Sequence, residues 1–174
     1  MEEYKKILRI AAYLLEYPDA AWWEEFSEYR AAARELKNQQ TREVFHDLFD
    51  YVEGVGAKEY EQDYVRKFDF SQNTNLYLTT HNRTDFGKQS EEMHTYKRLF
   101  LDNGYDLPKE LPDYLPALLE LAATVDREQA KKILDTARPK IELLRDRFIE
   151  AKLPQVFLLD IILSQISTTE VKDK

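Results

Sequence analysis

Apolar residues return every three to four positions along almost the whole chain, the spacing of amphipathic helices rather than strands. Ile7, Leu8, Ala11, Leu14 and Leu15 form a first stripe, which Tyr17-Pro18 ends. Asp19 is placed to cap a second helix running to about Leu36, with Trp22, Trp23, Phe26 and Tyr29 as its apolar content. Thr41 is the candidate cap of a third helix, which buries Val44, Phe45, Leu48, Phe49 and Val52 and stops at Gly54 and Gly56. A fourth runs from about Ala57 to Phe68. The pattern breaks over residues 69–75, where Asp, Ser and Asn favour turns, and residues 76–80 resume as a short helix.

A fifth helix is expected from about Asp85 to Asp102, ended by Asn103-Gly104. Residues 105–111 form a Pro-containing connector. Residues 112–125 read as a helix with Pro112 and Pro116 in its first turns, where proline is tolerated, and with Leu115, Leu118, Leu119 and Ala122 facing inward. Asp126 caps the next, to about Ala151, in which Pro139 forces a kink or break. The last, 153–167, is apolar nearly all round and should be central to the core. The expectation is a single all-α domain of seven to nine helices spanning residues 1–174, with no sheet.

Composition agrees. The 174 residues suffice for one domain with a real core. Gly is scarce at 4, and few β-branched runs with many Glu, Lys, Leu and Ala favour helices; aromatic content is high, with 11 Tyr and 9 Phe. The chain has no cysteine, which excludes disulfides, thiolate metal sites and cysteine nucleophiles. The first eighteen residues carry Glu2, Glu3, Lys5, Lys6 and Arg9, so no secretion signal forms there. The most apolar run, 156–163, is too short to span a bilayer. A soluble cytoplasmic protein, without direct membrane insertion, is expected. The net charge of −8 argues against nucleic acid and is compatible with a basic peptide partner.

Two Glu-x-x-His spacings, Glu43–His46 and Glu91–His94, are the sharpest hint of metal chemistry, because ferritin-like di-iron bundles use such pairs. Metal ligands must converge inward. At ~100° per residue, Glu43 and His46 share a face with Asp47, Asp50 and Glu53, opposite the apolar stripe. Glu91 and His94 likewise sit with Arg98 and Asp102, opposite Met93, Tyr96 and Phe100. Both motifs are therefore expected to face water, and the di-iron reading falls. His81 lies in a polar stretch expected to be a loop. No nucleophile elbow or phosphate-binding glycine loop occurs, so no catalytic residues and no cofactor are assigned. Tyr60, Tyr64 and Phe68 repeat every fourth residue and read as core.

Two segments stand apart from this amphipathic background. Residues 67–79 read KFDFSQNTNLYLT and residues 111–124 read LPDYLPALLELAAT. Tyr64-Val65-Arg66-Lys67-Phe68-Asp69-Phe70, then Thr74-Asn75-Leu76-Tyr77-Leu78-Thr79, then Leu111-Pro112-Asp113-Tyr114-Leu115-Pro116 through Leu119-Glu120, resemble the phrases of the NarJ family. These are the molybdenum-cofactor assembly chaperones of respiratory nitrate reductase.

The resemblance implies an all-helical cytoplasmic chaperone, not an enzyme. It would hold the N-terminal segment of the apo catalytic subunit until the bis-molybdopterin guanine dinucleotide cofactor is loaded. Chaperones of dimethyl sulfoxide or trimethylamine oxide reductases share the helical fold and a Pro-Asp phrase, but the LYLT phrase points to the nitrate branch. A helical adaptor with an unrelated partner is the remaining alternative. The expected client groove is lined by Phe68, Tyr77, Leu78, Tyr114 and Leu115, with Asp69, Asp113 and Glu120 meeting basic residues of the peptide. Asp113 is also read as a first-turn acid that complements the helix dipole. Between the phrases the family usually carries a Gly-Asp-Thr-Arg-Lys-Arg-Gly-like run. Here residues 84–90 keep only Asp85 and Lys88, as additional polar contacts. The chain closes on residues 170–174 without the longer acidic tail.

Overall fold

The computed structural model describes residues 1–172, with side chains through residue 166. Among them the chain forms eight α-helices, with one π-helical and one 3-10 turn and no strands. The helices are α1 (Glu3–Leu15), α2 (Ala20–Arg34), α3 (Gln39–Val55), α4 (Ala57–Tyr64), α5 (Phe86–Asp102), α6 (Leu115–Thr124), α7 (Arg127–Glu150) and α8 (Val156–Lys172). The all-α expectation holds. The reading of the tail at Asp173-Lys174 lies outside the described residues.

Local chemistry sets most boundaries. The side chains of Asp19, Asp85 and Asp126 accept from the amides of Trp22, Lys88 and Gln129, so each caps the helix it was expected to start. Asp19→Ala should cost about 1 kcal/mol, the usual value of such a cap; urea unfolding measures it, and an unchanged midpoint would remove Asp19 from this role. The third helix starts earlier than expected. Asn38, not Thr41, is its cap, and Thr41 is buried inside the first turn. Gly56, at φ 90°, ends it in a backbone that side chains avoid. Pro139 does not break α7, which runs through it with the proline ring exposed.

The centre of the molecule is α1 packed on α6, the most extensive helix pair. Nine of the thirteen residues of α1 are buried, among them Ala11 and Ala12, and α6 buries Ala122 and Ala123. The expectation that the last helix would be central is only half met. Leu158, Leu159, Ile161, Ile162 and Ile166 are buried, but Phe157 is exposed and Val156 and Leu163 are partly so. The helix covers one side of the core and packs chiefly on α7.

The aromatic surplus is mostly interior. Tyr13 stacks between Trp22 and Tyr29, and Phe26, Phe49 and Tyr60 complete the cluster joining α1 to α2, α3 and α4. Two reciprocal hydrogen bonds lock it: Trp22 Nε1 donates to the Tyr13 carbonyl (2.7 Å) and Tyr13 Oη to the Trp22 carbonyl (2.5 Å). Tyr60, Tyr64 and Phe68 are buried as read. Glu43, His46, Glu91 and His94 are all exposed, as the facing argument required. Among the described residues no three His, Asp or Glu side chains converge on a possible metal position, and no helix is long and apolar enough to cross a membrane.

Candidate functional site: an acidic, tyrosine-lined cleft

The two distinctive segments meet in space. A π-turn (Val65–Asp69) ends α4, and a 3-10 turn (Leu78–Asn82) replaces the expected short helix at 76–80. Between them Tyr77 pairs antiparallel with Tyr114: the Leu78 amide donates to the Asp113 carbonyl and the Leu115 amide to the Leu76 carbonyl, both at 3.0 Å. The rings of Tyr77 and Tyr114 stack at 4.8 Å.

Residues 111–114 therefore form a turn, closed by the Tyr114 amide donating to the Leu111 carbonyl (3.0 Å), that delivers Tyr114 to this pairing; they are not a helix start. Helix α6 begins at Leu115, with Pro116 in its first turn, and Tyr114 occupies the cap position. Asp113 consequently precedes the helix, outside its first turn, and does not project to solvent. It is fully buried, and its Oδ2 accepts from the Thr79 amide (2.9 Å) and the Thr79 hydroxyl (2.7 Å). Its Oδ1 is buried with no partner. Burial raises the carboxyl above its ordinary value, against the opposing pull of the Thr79 hydrogen bonds. Asp113 is a latch between the two segments.

Phe68, Leu78 and Leu115 are also in the core, so they cannot line an open groove in this conformation. Burying an aromatic and two leucines is worth roughly 1.5–3 kcal/mol each, which is why the fold takes them inward. Tyr114 and Glu120 do reach a surface cleft of about 470 Å³. Glu16, Tyr17 and Asp19 form one wall, α6 another, and the connector carrying Tyr105, Asp106, Lys109 and Glu110 the third. Tyr114 is held from behind. Its hydroxyl lies 3.5 Å from that of Tyr64, which donates to the Leu15 carbonyl (2.6 Å), and Tyr17 meets the Tyr64 ring edge-on. Asp69, Asp85 and Lys88 do not line this cleft; Asp85 is occupied as the cap of α5. His81, expected in a polar loop, is buried.

Five acidic side chains against one lysine line the cleft, and their crowding is felt most by Glu16, which keeps its proton near neutral pH. Sequence reasoning missed Glu16. It sits at the C-cap of α1, where the helix dipole disfavours negative charge, and Glu120 lies within hydrogen-bonding reach. Burial, then the neighbouring charges of Glu120, Glu110 and Glu25, push its carboxyl up to about 8. The available signal was an acid directly after a helix that is buried almost all round.

The molecule is all-helical, with an acidic cleft rimmed by tyrosines. Comparison with known proteins gives its family. The chain is 30% identical over 162 residues to the probable nitrate reductase molybdenum cofactor assembly chaperone NarJ of Bacillus subtilis, covering 92% of this chain and 88% of that protein. It is 29% identical over 171 residues to NarJ of Escherichia coli K12, covering 96% and 72%. It is 28% identical over 159 residues to the probable chaperone NarW of the same strain, covering 91% and 67%. No protein-family model matches the chain. The chain belongs to the NarJ family of nitrate reductase molybdenum cofactor assembly chaperones.

Proposed function

We propose that this chain acts in the cytoplasm on the apo catalytic subunit of a respiratory nitrate reductase, gripping a basic, amphipathic N-terminal segment in the acidic cleft until the molybdenum cofactor is inserted. The observation that carries this reading is the charge of the cleft: Glu16, Asp19, Asp106, Glu110 and Glu120 surround a tyrosine floor. Exposed Leu107 and Leu111 on the same connector offer apolar contacts for the other face of such a peptide. The names of the relatives supply the nitrate reductase client. In this reading Tyr114 and Glu120, with Tyr77 stacked beside them, touch the client, while Phe68, Leu78, Asp113 and Leu115 hold those residues in place. A chaperone must release its client, so affinity on the order of micromolar is expected.

Calorimetry against a synthetic peptide of the client's first residues tests this. Tyr114→Ala should weaken peptide binding by about 1–2 kcal/mol, the loss of one aromatic anchor. Thermal unfolding of the same samples separates that loss from destabilisation. Wild-type affinity in a folded Tyr114→Ala variant would move the site elsewhere, and absence of peptide binding by the wild type would end the proposal.

A further inference from the structure

A second cleft, sharing no lining residue with the first, opens where the π-turn leads into the 3-10 turn. Its volume is about 730 Å³, and Phe70, Ser71, Asn75, Thr80, Arg83 and Gln89 line it together with one carboxylate, Asp69. Two features of this cleft are not explained by packing. Phe70 is 81% exposed, more than any other described large apolar side chain, although aromatic rings elsewhere in the molecule are largely interior. Arg83 has φ 54° and ψ −110°, a strained backbone for a residue with a side chain. That conformation is held by its own amide donating to the Thr80 carbonyl (3.0 Å) and by the Gln89 side chain donating to its carbonyl. Strain maintained by specific hydrogen bonds concentrates at functional positions.

Arg83 has no carboxylate partner among the described residues, unlike several arginines of this acidic chain. Arg30, Arg66, Arg98, Arg127 and Arg145 each pair with a carboxylate. Arg83 instead donates to the Asn73 side-chain oxygen (2.8 Å). Arg147, behind it, donates to Nδ1 of His81. His81 Nε2 lies 2.7 Å from the Asn75 carbonyl, which only accepts, so Nε2 carries the proton and Nδ1 is the acceptor. The imidazole is thus the neutral tautomer, and its buried position disfavours a second proton, as do Arg147, Lys140 and Arg83. Burial and then Arg83 act against the charge on Arg147, with Glu150 the one opposing carboxylate. Two guanidiniums within electrostatic range of each other, neither in a salt bridge among the described residues, form a site that an anion would neutralise.

We propose that this cleft binds a phosphorylated aromatic small molecule, with phosphate on Arg83 and the ring against Phe70. A guanidinium pairs with phosphate through two parallel hydrogen bonds. Arg147 adds positive field from behind. An exposed phenyl ring gives a stacking surface indifferent to which heteroaromatic it meets. The hydroxyl and amide side chains around them suit the polar edges of such a ligand. Asp69 opposes the anion.

Calorimetry with inorganic pyrophosphate, ADP, GDP and adenosine separates the parts. Pyrophosphate should bind, the two nucleotides should bind about tenfold more tightly, and adenosine weakly or not at all. Arg83→Gln should weaken pyrophosphate and both nucleotides by about tenfold or more. Phe70→Ala should reduce the nucleotides to the level of pyrophosphate and leave pyrophosphate unchanged. Asp69→Asn should tighten all three anions. All three side chains are exposed, so the variants should fold, which thermal unfolding verifies. Failure of every probe to bind the wild type at millimolar concentration would overturn the proposal, as would unchanged binding by Arg83→Gln. Peptide binding in the acidic cleft stands or falls separately, because its assay uses a different ligand and different residues.

Discussion

Replacing Asp113 by alanine is expected to cost about 3 kcal/mol of stability while leaving the helices formed. The alanine variant strands two buried donors, the Thr79 amide and the Thr79 hydroxyl, each worth roughly 1–3 kcal/mol when left unpaired. It also removes a carboxylate that is itself unfavourable in the interior, which offsets part of that loss. Asp113→Asn separates the two effects. Its carboxamide oxygen can still accept both Thr79 hydrogen bonds, and its NH2 takes the place of an oxygen that already has no partner. The asparagine variant should therefore stay within about 1 kcal/mol of wild type.

The pH dependence has a definite sign. Because the folded state raises the Asp113 carboxyl above its ordinary value, the folded state holds the proton more tightly than the unfolded one. Stability from this group is greatest at acid pH and falls as pH rises through the folded value. Asparagine should thus compare best with wild type near neutrality and lose ground in acid. Urea unfolding at two pH values measures both. An alanine variant as stable as wild type would show that Asp113 is not a latch.

The second large effect concerns Glu16. With its carboxyl at about 8 in the fold and near 4.5 when unfolded, the folded state binds more protons throughout that window. The contribution to stability is complete below the unfolded value and is lost as pH rises through about 8. Between pH 6 and 9 the chain should lose about 2 kcal/mol, less than the full displacement would give, because water reaches part of Glu16 and screens the pair. Glu16→Gln keeps a hydrogen-bond donor toward Glu120 without a titrating proton, so it should flatten this slope.

Binding should run the other way. A basic peptide stabilises the ionised carboxylate, so association should release a proton below pH 8 and tighten as pH rises. Calorimetry in buffers of different ionisation heat detects that proton. A variant with the wild-type slope, or peptide binding without proton release, would place the high carboxyl elsewhere.

Much of the fold is legible along the chain because helices are local. The stripe from Ile7 to Leu15, the caps at Asp19, Asp85 and Asp126, and the stop at Gly56 follow from hydrogen bonds and φ preferences within a few residues. The outward facing of Glu43–His46 and Glu91–His94 follows from helical periodicity alone. The two family phrases and the relatives agree on what kind of protein this is.

The lining of the proposed client cleft was less legible. Tyr114 and Glu120 reach that cleft, whereas Phe68, Leu78, Asp113 and Leu115 lie inside and Asp69 lines a different one. By itself the sequence determined most of the helices, the caps at Asp19 and Asp126, the family and the acidic balance of the chain, because each rests on local periodicity or on residue identity. The tertiary structure alone decided that residues 76–78 pair with 113–115, turning Asp113 inward, and that Glu16 meets Glu120 across α1 and α6. Those outcomes depend on contacts between segments some 35 to 100 residues apart, where burial and desolvation rather than local preference set which side chains stay in water.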